Sequence, residues 1–136
     1  MSNNNFERGK LGEFICATHL LKMGEKAEIV NLSTIDIIVH RNSRLIRIQV
    51  KSSEYKLKDN MSRFRGYQFS TVHGGIKRPL TEKDCDVLGF VATDLERVIF
   101  KPAKNFNQIT KRFAKKHFLQ NDVEQASWDE TMESIL

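Results

Sequence analysis

The chain has 136 residues, 22 Lys and Arg against 17 Asp and Glu, a formal net charge of +5, and 40% hydrophobic residues. That length predicts one domain, and it suffices for a core without staples. Two cysteines exclude a disulfide framework, argue against structural zinc and favour a cytoplasmic, intracellular setting; no apolar run approaches the roughly 18 residues of a membrane span, and the polar start MSNNNFERGK is no secretory signal.

Residues 5–23 read as a helix. Phe6, Phe14, Ile15, Leu20 and Leu21 supply an apolar stripe, and Gly24 is its stop. Gly9 and Gly12 lower helix propensity and open the backbone to close approach. Short β-like runs follow. Residues 27–30 are weak, whereas 35–40 (IDIIVH) and 44–51 (RLIRIQVK) are strong and form a hairpin about Arg41-Asn42-Ser43. Runs at 67–72, 86–92 and 97–100 complete the strands, with Asp94 in the last turn. Residues 105–118 read as a basic amphipathic helix with Phe106, Ile109 and Phe113 on one face. The capping-box spacing of Ser127-Trp128-Asp129-Glu130 opens a short last helix. Helix, hairpin-linked strands and helix together predict an α/β fold with a mixed or antiparallel sheet flanked by helices. Neither GxGxxG nor GxxxxGK[ST] is present.

The charge is segregated. Residues 41–78 hold ten bases and two acids, Glu54 and Asp59. Residues 101–117 add six bases and no acid, and Gln120 to Leu136 hold five acids and no base. This distribution suits a phosphate-backbone binder, although solubilising surface charge has the same composition.

Strand alternation places Ile46, Ile48 and Val50 on one face and Arg47, Gln49 and Lys51 on the other. Asp36 shares its face with Ile38 and His40. A carboxylate within an apolar strand is costly unless paired or bound to a cation. Adjacent strands bring Asp36, Gln49 and Lys51 together, an oxygen-rich set with an ammonium nearby, suited to Mg²⁺ and a water.

The order Gly12-Glu13 in a helix, Asp36 in a hairpin strand, then Gln49-Val50-Lys51-Ser52 resembles the PD-(D/E)XK nuclease superfamily. Its nearest flavours are the small Holliday-junction resolvases and the homing endonucleases of that fold. The resemblance covers residues 8–53. It implies a restriction-endonuclease-like α/β core and a Mg²⁺-dependent DNA endonuclease, Mn²⁺ substituting, with a homodimer as the expected assembly. By the same resemblance, Asp36, the Gln49 amide oxygen and the Val50 carbonyl would ligate the metal. Glu13 would reach it directly or through water, and Lys51 would position or activate the attacking water. Ile35 replaces the motif's proline, and Gln49 replaces the usual carboxylate. The second change removes a negative charge, so weaker metal binding and one ion rather than two are expected.

Other features extend this reading toward nucleic acid. Arg47 and Ser52 flank the motif. Residues 54–66 interleave Lys56, Lys58, Arg63 and Arg65 with Tyr55 and Phe64, a composition suited to stacking and phosphate contact or to a solvated loop. Lys77 and Arg78 beside His73-Gly74-Gly75 form a second candidate contact, and Lys111 and Lys115 a third on the basic helix. A structure-selective, resolvase-like endonuclease is the leading expectation. A homing or restriction-type enzyme, or a non-catalytic DNA-binding module, are the alternatives. The four histidines show no metal-ligand spacing, and Cys16 reads as core.

Overall fold

The computed structural model describes residues 4–56, 64–73 and 76–136. The expected contacts Lys58 and Arg63, and the side chain of Lys77, lie outside the described residues. The elements are α1 (Asn4–Lys22), β1 (Lys26–Leu32), β2 (Ile35–Arg41), β3 (Arg44–Ser53), β4 (Tyr67–Ser70), β5 (Val72–His73), β6 (Ile76–Pro79), β7 (Val87–Ala92), β8 (Arg97–Pro102), β9 (Thr110–Phe113), α2 (Lys115–Phe118) and α3 (Val123–Ile135). No helix among the described residues is long and apolar enough to cross a membrane.

The principal sheet has the order β1-β2-β3-β7-β8. Its pairings are antiparallel except for β3–β7, which is parallel. The architecture is thus the central mixed sheet flanked by helices. The β2–β3 hairpin closes on an Arg41–Arg44 pair, with Asn42 at φ +56° in the turn. Asn tolerates that left-handed conformation better than most residues.

Alternation divides the interior between the two faces of the sheet. Ile37, Val39, Ile46, Ile48, Val87 and Val91 pack under α1 and α3, with Cys16, Leu20, Trp128 and Met132. Leu88, Phe90, Ala92 and Ile99 face the other way, onto an aromatic cluster of Tyr67, Phe69, Phe113 and Phe118 that includes Cys85. Because both its faces are covered, β7 is buried at every position, as expected of a strand in parallel pairing. Trp128 anchors α3, donating its Nε1–H to Glu25 Oε2 at 3.0 Å.

Three expectations change. In α1, Ile15 and Leu20 are buried, but Phe14 and Leu21 are 59% and 57% exposed, so the apolar stripe is wider than the face the core uses. Residues 105–118 are not one helix. Asn105 and Asn107 adopt φ +60° and +55°, and β9 pairs with β4, setting Phe113 opposite Tyr67 in the aromatic cluster. Only the single turn of α2 is helical, since pairing and burial override the periodicity. Finally, α3 starts at Val123, and Ser127 is not its cap. Its Oγ accepts the Phe100 N–H at 3.0 Å, tying the helix to β8.

Candidate active site

The register Ile37–Ile48 sets Asp36, one residue earlier, across from Gln49, one residue later, on the same face of the hairpin. Lys51 follows two residues along β3, on that same face. Glu13 joins them from α1, and all four line one cleft of about 330 Å³ with Arg8, Gly9, Val50 and Ser52. Gly12 permits this approach. A Cβ there would collide with Ser52 Oγ and stand 3.1 Å from Ser52 Cβ, so only glycine lets α1 lie this close to the end of β3.

Asp36 Oδ2 accepts the Val50 N–H at 2.8 Å, which locks the carboxylate over the β3 backbone. Burial pushes the Asp36 carboxyl above its ordinary value, against the Val50 N–H and the charges of Lys51 and Lys10. Glu13 is raised too, by burial first and then by Asp36. Lys51 is pushed down by burial, with Asp36 opposing, and its Nζ donates to the Val72 carbonyl at 3.5 Å. The cleft therefore holds two carboxylates that are costly to ionise together and one desolvated ammonium.

Such a pocket fits a hard divalent cation. Among the described residues Gln49 Oε1 is buried with no hydrogen-bond partner, and a cation would satisfy that acceptor. Bound there, such an ion would offset the repulsion between Asp36 and Glu13. Among the described residues no group of three or more His, Cys, Asp and Glu gathers. The set here is two carboxylates and an amide, the sparse oxygen donation typical of Mg²⁺ sites completed by water and substrate phosphate.

The structure places the remaining expected contacts differently. Arg47 is taken up internally. Its Nε and Nη2 donate to the two Asp86 carboxylate oxygens at 3.1 Å each, its backbone N–H donates to Asp86 Oδ2 at 2.8 Å, and Nη2 also reaches the Glu82 carbonyl at 2.8 Å. It staples β3 to the approach to β7 and is not free for a phosphate. Arg78 is likewise held, with both Nη groups on the Asp84 carboxylate at 3.0 Å. Ser52 lines the cleft, its Oγ buried and, among the described residues, without a hydrogen-bond partner. Lys56 and Arg65 are exposed, at the two ends of the segment that leaves β3 and returns to β4, with Lys56 bridged to Gly66. Lys111 sits 4.9 Å from the Phe113 ring centroid, and Lys115 lies 5.5 Å from that of Tyr55. His40 is exposed and bonds Glu28 Oε1 at 3.0 Å, away from the cleft. Cys16 is fully buried.

Three neighbours of the site were not anticipated: Arg8, Lys10 and Asn31. Asn31 lies at a register shift between Ile29 and Leu32, at φ +54°. In the amide orientation that satisfies both neighbours, it donates to Glu13 Oε1 at 2.8 Å and accepts from Lys10 Nζ at 3.1 Å. The i,i+3 spacing of Lys10 and Glu13, 3.8 Å apart in the structure, was a readable signal. The bulge that aims Asn31 was not.

A family model described as PD-(D/E)XK endonuclease matches residues 5–129. The solved structure of a bacterial homing endonuclease, I-Ssp6803I, is similar over 96% of this chain and 95% of that one, with a TM-score of 0.71 and 15% sequence identity. At that identity the likeness concerns the fold. No curated protein matches the sequence.

Proposed function

The chain belongs to the PD-(D/E)XK endonuclease family, and from that premise we propose that it is a Mg²⁺-dependent endonuclease that hydrolyses DNA phosphodiesters at the Asp36 cleft. The observation that carries this reading is the convergence in one pocket of Glu13, Asp36, Lys51 and Gln49, whose Oε1 has no hydrogen-bond partner among the described residues.

Asp36, Gln49 Oε1 and the Val50 carbonyl would hold the ion, with Glu13 beside them. Mg²⁺ or Mn²⁺ bound there supplies Lewis acidity toward the scissile phosphate and a more acidic water. The Val50 N–H fixes one Asp36 oxygen and would leave the other for the ion. Asn31 and Lys10 steady Glu13. Lys51, held beside Asp36 in a partly desolvated pocket, directs its ammonium at the charge that develops on the phosphoryl oxygens or at the attacking water. Water oxygen bonds to phosphorus as the bond to the leaving nucleoside oxygen breaks, the water giving up a proton to solvent and the leaving oxygen taking one from it.

Duplex DNA is one candidate substrate for this cleft. A four-way junction is the competing substrate, and a homodimer is the expected assembly, since cutting two strands needs two clefts. The test incubates duplex plasmid and a four-way junction with Mg²⁺ or Mn²⁺, alongside Asp36→Ala and Lys51→Ala. Cleavage that falls by about 100-fold or more in both variants is expected. Wild-type rates in both would overturn the assignment. DNA binding without cleavage would identify a non-catalytic module.

A further inference from the structure

Arg8, on α1, lines the cleft beside Glu13, Asp36, Gln49 and Lys51. It is the one guanidinium among the described residues that line it. Lys51, the cleft's other cation, is turned to Asp36 and the Val72 carbonyl. Arg8 instead points its Nε at the rim, where it donates to Glu54 Oε1 at 3.0 Å. The Arg8 and Glu54 side chains remain 34% and 56% exposed. Neither Nη group of Arg8 has a hydrogen-bond partner among the described residues.

Glu54 follows β3 directly, two residues beyond Ser52. It also borders an adjoining depression of about 390 Å³, lined by Glu7, Arg8, Leu11 and Thr93 besides. Arg8 is shared by both hollows and so stands on the ridge between them. An incoming phosphodiester meets two carboxylates in the one and two in the other. A cation on that ridge offsets them.

We infer that Arg8 docks a phosphate of the bound strand at the mouth of the cleft, and that Glu54 competes with that phosphate for the guanidinium. The planar fork of Arg matches phosphate oxygens in a bidentate way, and two Nη groups are already open to it. The Arg8–Glu54 contact is a partly exposed ion pair of the weak kind, readily exchanged for a phosphate. Glu54 thereby lowers affinity for nucleic acid at the rim. The inference rests on the nuclease reading above.

The test measures fluorescence anisotropy of a labelled DNA duplex in metal-free buffer, where no strand is cut, across a salt series. The proteins are wild type, Glu54→Gln, Arg8→Gln, Arg8→Lys and the Arg8→Gln/Glu54→Gln double variant, each first shown by circular dichroism to be folded. Glu54→Gln is expected to bind about two- to fivefold tighter, the range of an exposed ion pair. Arg8→Gln should bind more weakly and lose about one unit of salt slope. Arg8→Lys should fall between. In the Arg8→Gln background, Glu54→Gln should change nothing. Equal tightening with and without Arg8 would show that Glu54 merely repels DNA, and would overturn the inference. So would an unchanged affinity in Arg8→Gln. If wild type binds no DNA even at low salt, it is the nuclease reading itself that fails.

Discussion

Replacing Gln49 by Glu tests the geometry of the cleft with two opposite signs. The β2–β3 register sets position 49 across from Asp36, and Glu13 lines the same pocket. Directly opposed strand residues have Cβ atoms about 5 Å apart. Two carboxylates at about 5 Å repel by about 3 kcal/mol at an effective dielectric near 20, and the open side of the cleft reduces this to about 1–2 kcal/mol. A 136-residue chain loses roughly 3–5 °C of Tm per kcal/mol, so metal-free Gln49→Glu should melt roughly 3–10 °C below wild type. The new carboxyl has a raised pKa in the fold, so the penalty is absent below about pH 4.3 and grows as pH rises through the folded-state pKa. With Mg²⁺ the sign reverses. An anionic third ligand should lower the metal Kd by at least about tenfold, a gain of about 1.4 kcal/mol. Thermal melts in EDTA and in graded Mg²⁺, with calorimetric titration, read both effects. An unchanged metal-free Tm together with the same Mg²⁺ response as wild type would refute the shared pocket.

Three further outcomes follow from the same contacts. Asp36→Asn should stabilise the metal-free fold increasingly as pH rises from about 4 to 7, because a carboxyl raised by burial loses stability through its folded-state pKa; it should also abolish the Mg²⁺-induced rise in Tm, both readable in melts at two pH values. Gly12→Ala should displace Ser52 and part α1 from β3, at a net cost of about 1–2 kcal/mol after the gain in helix propensity, with a weakened Mg²⁺ response in the same melts. Arg47→Ala should cost about 1–3 kcal/mol of stability, read as a lower urea midpoint at unchanged m, since Asp86 is left half-buried without its guanidinium, while DNA affinity of the folded protein stays unchanged in anisotropy titrations.

The hairpin and its chemistry were legible because strand periodicity is local. IDIIVH and RLIRIQVK alternate cleanly, and the turn between them is short, so Asp36, Gln49 and Lys51 fall on one face with no tertiary information. Glu13 needed more. Its place depends on Gly12 meeting Ser52, a contact across forty residues that no spacing announces. Arg47 shows the converse. It is one arginine in a basic window, and the Asp86 that claims it lies thirty-nine residues away. The 105–118 segment misled because Phe106, Ile109 and Phe113 fit a helical stripe, whereas Phe113 is buried by pairing with Tyr67. Arg8 and Asn31 escaped notice because an ion pair at a rim and a strand bulge leave no pattern in the chain.

One sulfur lies on each side of the sheet. Cys16 belongs to the interior under α1, Cys85 to the aromatic cluster, and each is fully buried. Burial pushes the Cys85 thiol up to about 12 and Cys16 higher still, so neither forms thiolate near neutrality. Native protein should therefore resist alkylating reagents, and each modification would time a separate opening of the molecule. Matched labelling rates would mean that the two halves breathe as one. Faster capture of Cys16 would mean that the helix carrying Glu13 lifts away while the aromatic half stays shut.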